Sequence, residues 1–349
     1  MMLHKVARGA GLAAVAMAGL IASDSVLAAT VDGPKVQWNF NMYGPKRAAS
    51  AGFEELARLI KEATDNNFEI KIHYGEALGP SKEALDAISI GAYEMTFACV
   101  GYTPGKLPTI EGMGLPFLPT PTIHHVRAMR EGYMAHPVPQ RDISRWGAVA
   151  ITPMPVASNE FLGKGKPPKS LSDFKGLRVR ALGGEADAMR LVGAVPTNLP
   201  APEIYQGMER GLLDASSTLY YAHASYKTQE VANWYTTNLS LSSAPCLVFA
   251  GSKAYNALPA QYRKLMTDSV PASNDYWVKV LLEDDLKAVE LFKAKGLTAV
   301  TFAEADLANL RQQVRPIWDR WVAEMDKLGH NGKELLQLIL DSAQKAKVS

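Results

Sequence analysis

Between Val36 and Val100 the hydrophobic period of the chain switches repeatedly, and this switching restricts the fold more than any other feature. Val36 to Phe40 reads as a strand and is followed by a turn at Gly44-Pro45. Phe53, Leu56, Ala57, Ile60 and Ala63 then recur at the spacing of an amphipathic helix. From Phe68 to Tyr74 the chain alternates strictly: Phe68, Ile70, Ile72 and Tyr74 share one face, and Glu69, Lys71 and His73 the other. That is the pattern of a half-buried strand. A helix over Lys82 to Ile90 and an apolar strand over Met95 to Val100 continue the alternation. Strands joined through helices run parallel and carry those helices on their faces, so the class is α/β.

Further strands are expected at Gly147 to Ile151, Leu177 to Ala181 and Leu247 to Ala250, and helices at Gly184 to Val192 and Glu203 to Gly211. The Gly/Pro/Lys-rich run Gly163 to Lys169 reads as a surface loop. From about Ala260 to Gly296 one helical period continues with only Pro271 interrupting it, long enough to pass across two lobes. A strand at Leu297 to Phe302 and amphipathic helices at Ala303 to Leu328 and Gly332 to Lys345 complete the chain. A chain of 349 residues is large enough for two cores rather than one.

The first 29 residues carry Lys5 and Arg8, an apolar run from Gly11 to Ile21, and small residues ending at Ala28 and Ala29. This is the pattern of a secretory signal peptide cleaved after Ala28 or Ala29, its apolar run shorter than the ~20 residues a membrane span needs. Removing Lys5, Arg8 and Asp24 with it moves the formal charge from +2 to +1. A near-neutral chain without basic clusters gives no electrostatic case for nucleic acid or anionic membrane, which leaves small molecules as partners. Cys99 and Cys246, the two cysteines, lie in apolar strand-like runs. An oxidising compartment permits a bridge between them, but their burial favours reading them as free thiols that behave as small hydrophobes.

No Walker loop, G-x-S-x-G elbow or H-E-x-x-H motif occurs. His124 and His125 are adjacent, so their rings diverge on any regular element; they read as surface or capping residues rather than metal ligands. No cofactor or metal is expected. In Leu177-Arg178-Val179-Arg180-Ala181, alternation puts both arginines on one face. A guanidinium suits carboxylate recognition because it donates two parallel hydrogen bonds and stays charged. On the pattern alone, two exposed arginines on an edge strand are the better fit.

The run Ser170-Leu171-Ser172-Asp173-Phe174-Lys175-Gly176-Leu177-Arg178-Val179-Arg180 continues through Val192-Gly193-Ala194-Val195-Pro196-Thr197, Leu199-Pro200, Glu203-Ile204-Tyr205 and Gly211-Leu212-Leu213-Asp214. With Leu115-Pro116-Phe117-Leu118 and Ala257-Leu258-Pro259, this order resembles the DctP-type extracytoplasmic binding proteins of TRAP transporters. The resemblance implies a two-lobed periplasmic binding protein fold with crossover strands and a long lobe-spanning helix. It assigns residues 30–153 with about 246–285 to lobe I, 154–245 with about 286–330 to lobe II, and 331–349 to a C-terminal helix. It also implies that the protein is no enzyme. It captures a small organic acid between the lobes in the periplasm and delivers it to TRAP membrane permease subunits.

By the same resemblance Arg180, not Arg178, matches the carboxylate-binding arginine, and Asn41, Tyr43, Glu76 and Asn159 fall where ligand contacts occur. Where many such proteins have an acidic residue and an asparagine, this chain has Ala215, Ser216, Ser217 and Thr218, then Tyr220 and Tyr221. Fewer polar partners argue against a sugar acid, whose hydroxyls each need a buried partner. A single carboxylate anchor and an apolar or aromatic ligand body are therefore expected, with Tyr220 and Tyr221 serving either ligand contact or lobe packing. Two alternatives stay open: a periplasmic enzyme acting on organic acids, with Glu76 as its acid/base candidate, and a binding protein for an ABC importer or sensor kinase.

Overall fold

The computed structural model describes residues 30–346, so the expected signal peptide lies outside the described residues. Its strands are β1 Val36–Met42, β2 Phe68–His73, β3 Met95–Cys99, β4 Ala148–Pro153, β5 Glu160–Gly163 and β6 Arg178–Arg180. They continue as β7 Val195–Thr197, β8 Ala215–Thr218, β9 Trp234–Thr236, β10 Cys246–Gly251 and β11 Thr298–Val300. They form two sheets, ordered β2-β1-β3-β10-β4 and β11-β9-β5-β8-β6-β7. Each sheet carries its own helices, giving a two-lobed α/β molecule.

Within the first sheet β1 pairs in parallel with β2 and β3, as the switching period requires, while β10 returns antiparallel between β3 and β4. The central strands β3 and β10 are buried along their whole length, whereas β2 at the edge is only half-buried. Phe40, Phe53, Phe97 and Trp277 pack as tilted and edge-on rings under this sheet. Gly52 makes that packing possible, because a Cβ there would lie 2.1 Å from Trp277 Cδ2. Phe161, Phe174, Trp234 and Phe302 form the corresponding cluster in the second lobe.

The chain passes between the sheets after β4, back before β10, and again along a single helix, Ala260–Ala294, which runs through Pro271. The first two crossings are tied together: Met154 N donates to Cys246 O and Asn159 N to Ser242 O, each at 2.9 Å. Arg130, fully buried on the helix Ile123–Met134, clamps both crossings by donating to the carbonyls of Met154, Ser243 and Ala244. Burial without a carboxylate pulls its pKa down to about 9, so it stays charged at neutral pH. His125, in the first turn of the same helix, bonds Thr122 Oγ1 through Nδ1, in keeping with a capping role.

The structure corrects two expectations. Ala303 to Leu328 is two helices, Glu304–Gln313 and Arg315–Lys327, because Pro316 lacks an N–H for the preceding turn and instead starts the second helix. Cys99 and Cys246 are not free thiols but a disulfide: the antiparallel register of β3 and β10 sets them directly opposite each other, 147 residues apart in sequence. Spacing along the chain carries no trace of that register.

Candidate functional site

The C-terminal ends of β1, β3, β6 and β8 converge between the sheets, the place where open α/β sheets bind ligands. Tyr43 and Arg47 follow β1, Tyr102 follows β3, Arg180 ends β6, and Thr218 ends β8 with Tyr221 just beyond it. Together with Asn159 and Tyr226 they line a narrow cavity of about 50 Å³, with no acidic side chain among its lining residues. Loops from both lobes close it: Asn198 Nδ2 donates to Gly101 O at 2.8 Å, and Ala201 N donates to Tyr102 Oη at 3.1 Å. A larger depression of about 480 Å³ lies beside β4 and the long helix, but its cation, Arg127, is already paired with Glu131 and Asp275.

Strand alternation correctly put Arg178 and Arg180 on one face, but that face has two ends. Arg178, at the outer end, is exposed and forms a bidentate pair with Asp214, at 2.9 and 2.6 Å. Arg180, at the inner end, is 3% exposed, and β6 is interior rather than an edge strand. Its Nε donates to Leu199 O at 2.8 Å and its Nη1 to Ser217 O at 2.6 Å. Two carbonyls thus fix the plane of the guanidinium and use two of its five N–H groups, leaving the rest of the fork without a partner among the described residues.

Behind Arg180 lies Glu185, 1% exposed, which accepts from Ser217 Oγ and from Asn159 Nδ2. Burial raises its pKa to about 7, against the lowering influence of Ser217 and Arg180. An unfolded chain releases this proton near 4.5, so between pH 4.5 and 7 only the native state holds it. Stability therefore falls as pH rises through this window and is level above it. Relative to wild type, Glu185→Gln is expected to gain roughly 3 kcal/mol between pH 4.5 and pH 8. Urea unfolding of both proteins across that range checks this, and a pH-independent difference would remove Glu185 from the account.

Three of the cavity tyrosines are held neutral. Burial raises the Tyr43, Tyr221 and Tyr226 hydroxyls above their ordinary value, and Tyr43 Oη donates to the disulfide sulfur of Cys99 at 2.9 Å. Of the residues expected at the site, Tyr43, Asn159, Arg180, Thr218 and Tyr221 line this cavity, and three do not. Asn41 instead pins the loop after β2, donating to Gly79 O at 2.9 Å and accepting from Leu78 N. Glu76 caps the turn at Ser81, accepting its N–H at 2.7 Å. Tyr220, one position before Tyr221 on a helix, points elsewhere: it donates to Thr236 O and packs on Tyr235 and Phe292.

The sequence reading missed Arg47, Tyr102 and Tyr226. Arg47 is a second cation lining the cavity, besides Arg180. A basic residue just ahead of the helix Ala51–Ala63 is the signal that was available, since a helix N-terminus disfavours positive charge.

The model of the bacterial extracellular solute-binding proteins, family 7 (DctP), matches residues 42–325, which covers the whole cavity and both sheets except β1, of which it includes only the last residue. The chain belongs to the DctP family. It is thus a solute-binding protein, not an enzyme, and the family works outside the cytoplasm. Among its relatives, the C4-dicarboxylate-binding periplasmic protein DctP of Rhodobacter capsulatus is 26% identical over 283 residues, 79% of each chain. Two solved structures share the fold at a TM-score of 0.81. A TRAP solute-binding protein of Rhodoferax ferrireducens with copurified benzoate is 19% identical and covers 89% of this chain and 98% of its own. One from Desulfovibrio salexigens with bound orotic acid is 21% identical and covers 90% of this chain and 100% of its own. In this DctP-family chain, the cavity of Arg180 therefore lies in the fold shared by these solute-binding proteins.

Proposed function

We propose that this protein is the periplasmic receptor of a TRAP-type transporter, capturing a small organic acid between its lobes and handing it to a membrane permease. One observation carries the reading: Arg180 is buried between the lobes, its orientation fixed by two carbonyls, with no acidic side chain among the residues that line its cavity. A buried cation so placed calls for an anion from outside. A ligand carboxylate docks on the open second lobe, and contacts to the first lobe then favour closure, so the acid shifts the population by its differential affinity. Three features support a periplasmic, soluble form. The Cys99–Cys246 disulfide suits an oxidising compartment, no helix of the described residues is long and apolar enough to cross a membrane, and the relatives named above include a periplasmic protein.

The test is thermal unfolding of protein stripped of ligand and titrated with a panel of aliphatic and aromatic acids. An acid at a hundred times its Kd adds about 2.7 kcal/mol, a rise in Tm on the order of 5 °C. The neutral amides of the same acids should give no shift. A panel in which acids and amides behave alike would overturn the reading.

A further inference from the structure

Glu185 is a buried carboxyl to which the reading of Arg180 gives no task. It stands in the first turn of the helix Gly183–Leu191, just after the strand that ends in Arg180. Its carboxyl reaches the site through two residues. Ser217 Oγ donates to Oε1, while the carbonyl of the same Ser217 holds Arg180 Nη1. Asn159 Nδ2 donates to Oε2 at 3.5 Å, and Asn159 lines the cavity. Both partners are reversible: a hydroxyl and an amide each offer a donor to a carboxylate or an acceptor to a carboxylic acid. Glu160 on β5, the neighbouring buried carboxyl, is held differently. Two of the four groups that donate to it are the backbone N–H groups of Leu239 and Ser240, which cannot turn round; the others are the hydroxyls of Thr236 and Ser240. Of the two carboxyls, Glu185 is therefore the one whose setting fits it with or without a proton.

We propose that Glu185 is a proton site linked to the ligand site, so that the protein takes up a proton as it captures an organic acid. The proposal rests on the reading of Arg180 given above. Burial, the largest influence, raises the pKa of Glu185, and Ser217 and Arg180 lower it, which leaves it at about 7. A carboxylate docked on Arg180 opposes that cation and brings a second negative charge near Glu185; both effects raise the pKa further. By linkage, the acid binds most tightly below pH 7, where Glu185 holds its proton with or without the acid. Affinity falls as pH rises from 7 to the raised value and is level beyond it. Within that window an anion and a proton enter together, so the buried site gains no net charge on loading. Among the other charged groups nearby, Glu160 also acts on Glu185, and Arg47 lines the same cavity as Arg180. Asp187 on the same helix pairs with Arg190 and Arg320, and lines a separate cleft with Glu111 and Glu324. His223 is held neutral by burial down to about pH 3, so it does not titrate in the window.

The test is calorimetric titration of the mature protein with the tightest binder among butyrate, succinate, benzoate and the other acids of the thermal panel. It is run near pH 8, where these acids are ionised, in phosphate and in Tris. The two buffers differ in heat of ionisation, so the difference in observed heat counts the protons taken up. Uptake of about half a proton or more per acid is expected, with affinity falling on the order of tenfold between about pH 6 and pH 9. Glu185→Gln keeps the hydrogen-bond partners but does not titrate; proton uptake should vanish and affinity should no longer follow pH. Ser217→Ala removes a donor to the carboxylate and keeps the carbonyl that holds Arg180, so the pH at which affinity falls should move upward. That variant gives a second reading if Glu185→Gln folds poorly. No uptake in the wild type, uptake that survives Glu185→Gln, or a pH dependence that Ser217→Ala leaves in place would overturn the proton site and leave Arg180 as the anchor. Arg180→Met, run alongside, separates this failure from a deeper one. If that variant binds every acid as the wild type does, the reading of Arg180 falls, and the linked proton falls with it.

Discussion

Arg180→Ala is expected to lower affinity for the bound acid about 30-fold or more. Truncating one partner of a buried, hydrogen-bonded charge pair costs roughly 2 to 5 kcal/mol, and each 1.4 kcal/mol is tenfold. Most of that cost is the ligand carboxylate left enclosed without its counter-charge, so it should appear chiefly in the dissociation rate. The carbonyls of Leu199 and Ser217 also lose their donors, so the variant's stability must be measured together with its affinity. Arg180→Lys retains the charge but not the fork, and it cannot donate to both carbonyls and a carboxylate in one plane. It should fall between wild type and Arg180→Ala. Arg178→Ala is the control: its guanidinium pairs with Asp214 at the outer end of the same strand, and ligand affinity should stay within about twofold. Calorimetry giving Arg180→Ala the wild-type affinity would remove Arg180 from the binding site.

Alternation along Leu177 to Ala181 carried Arg180 as far as a face of a strand and no further. Alternation reports which side of a sheet a residue is on; it does not say which end of the strand meets a second lobe, and that end is what separates Arg180 from Arg178. The family-like context around Phe174 to Arg180 supplied this information. Local periodicity located most of the strands and helices between Val36 and Val100, where each element buries one face on its neighbours in sequence. It failed where long-range partners decide. β5, β8 and β9 are fully buried and short, so nothing alternates in them. Asn41 and Glu76 are polar residues at strand ends near the cavity, but their hydrogen bonds close local turns. Arg47 was passed over for the opposite reason: it reads locally as an ordinary solvated base, and only the fold folds two tyrosine rings around it.

The Cys99–Cys246 bond is the other long-range feature, and breaking it should have the largest effect on stability. The bond closes a loop of 147 residues that contains β4 of the first sheet and β5 through β9, the whole of the second lobe's sheet except β11. Cross-linking so long a loop restricts the unfolded chain more than the folded one; chain-entropy reasoning puts the upper end near 5 kcal/mol, and removal of native disulfides costs about 2 to 5 kcal/mol. Replacing both cysteines with alanine is therefore expected to lower the unfolding free energy by that amount. The dependence on urea should also steepen, because an unfolded chain freed of the cross-link exposes more surface. Reducing agent should shift the wild-type midpoint toward that of the variant and leave the variant unmoved. Equal midpoints with and without reductant would show that the bond contributes nothing. Because the sulfurs line the cavity and Cys99 accepts from Tyr43, affinity needs measuring as well. The antiparallel ladder of β3 and β10 holds these positions without the bond, so affinity should fall far less than in Arg180→Ala. A large stability loss with a small affinity loss is the reverse of the pattern expected for Arg180, and finding the two patterns exchanged would contradict both assignments at once.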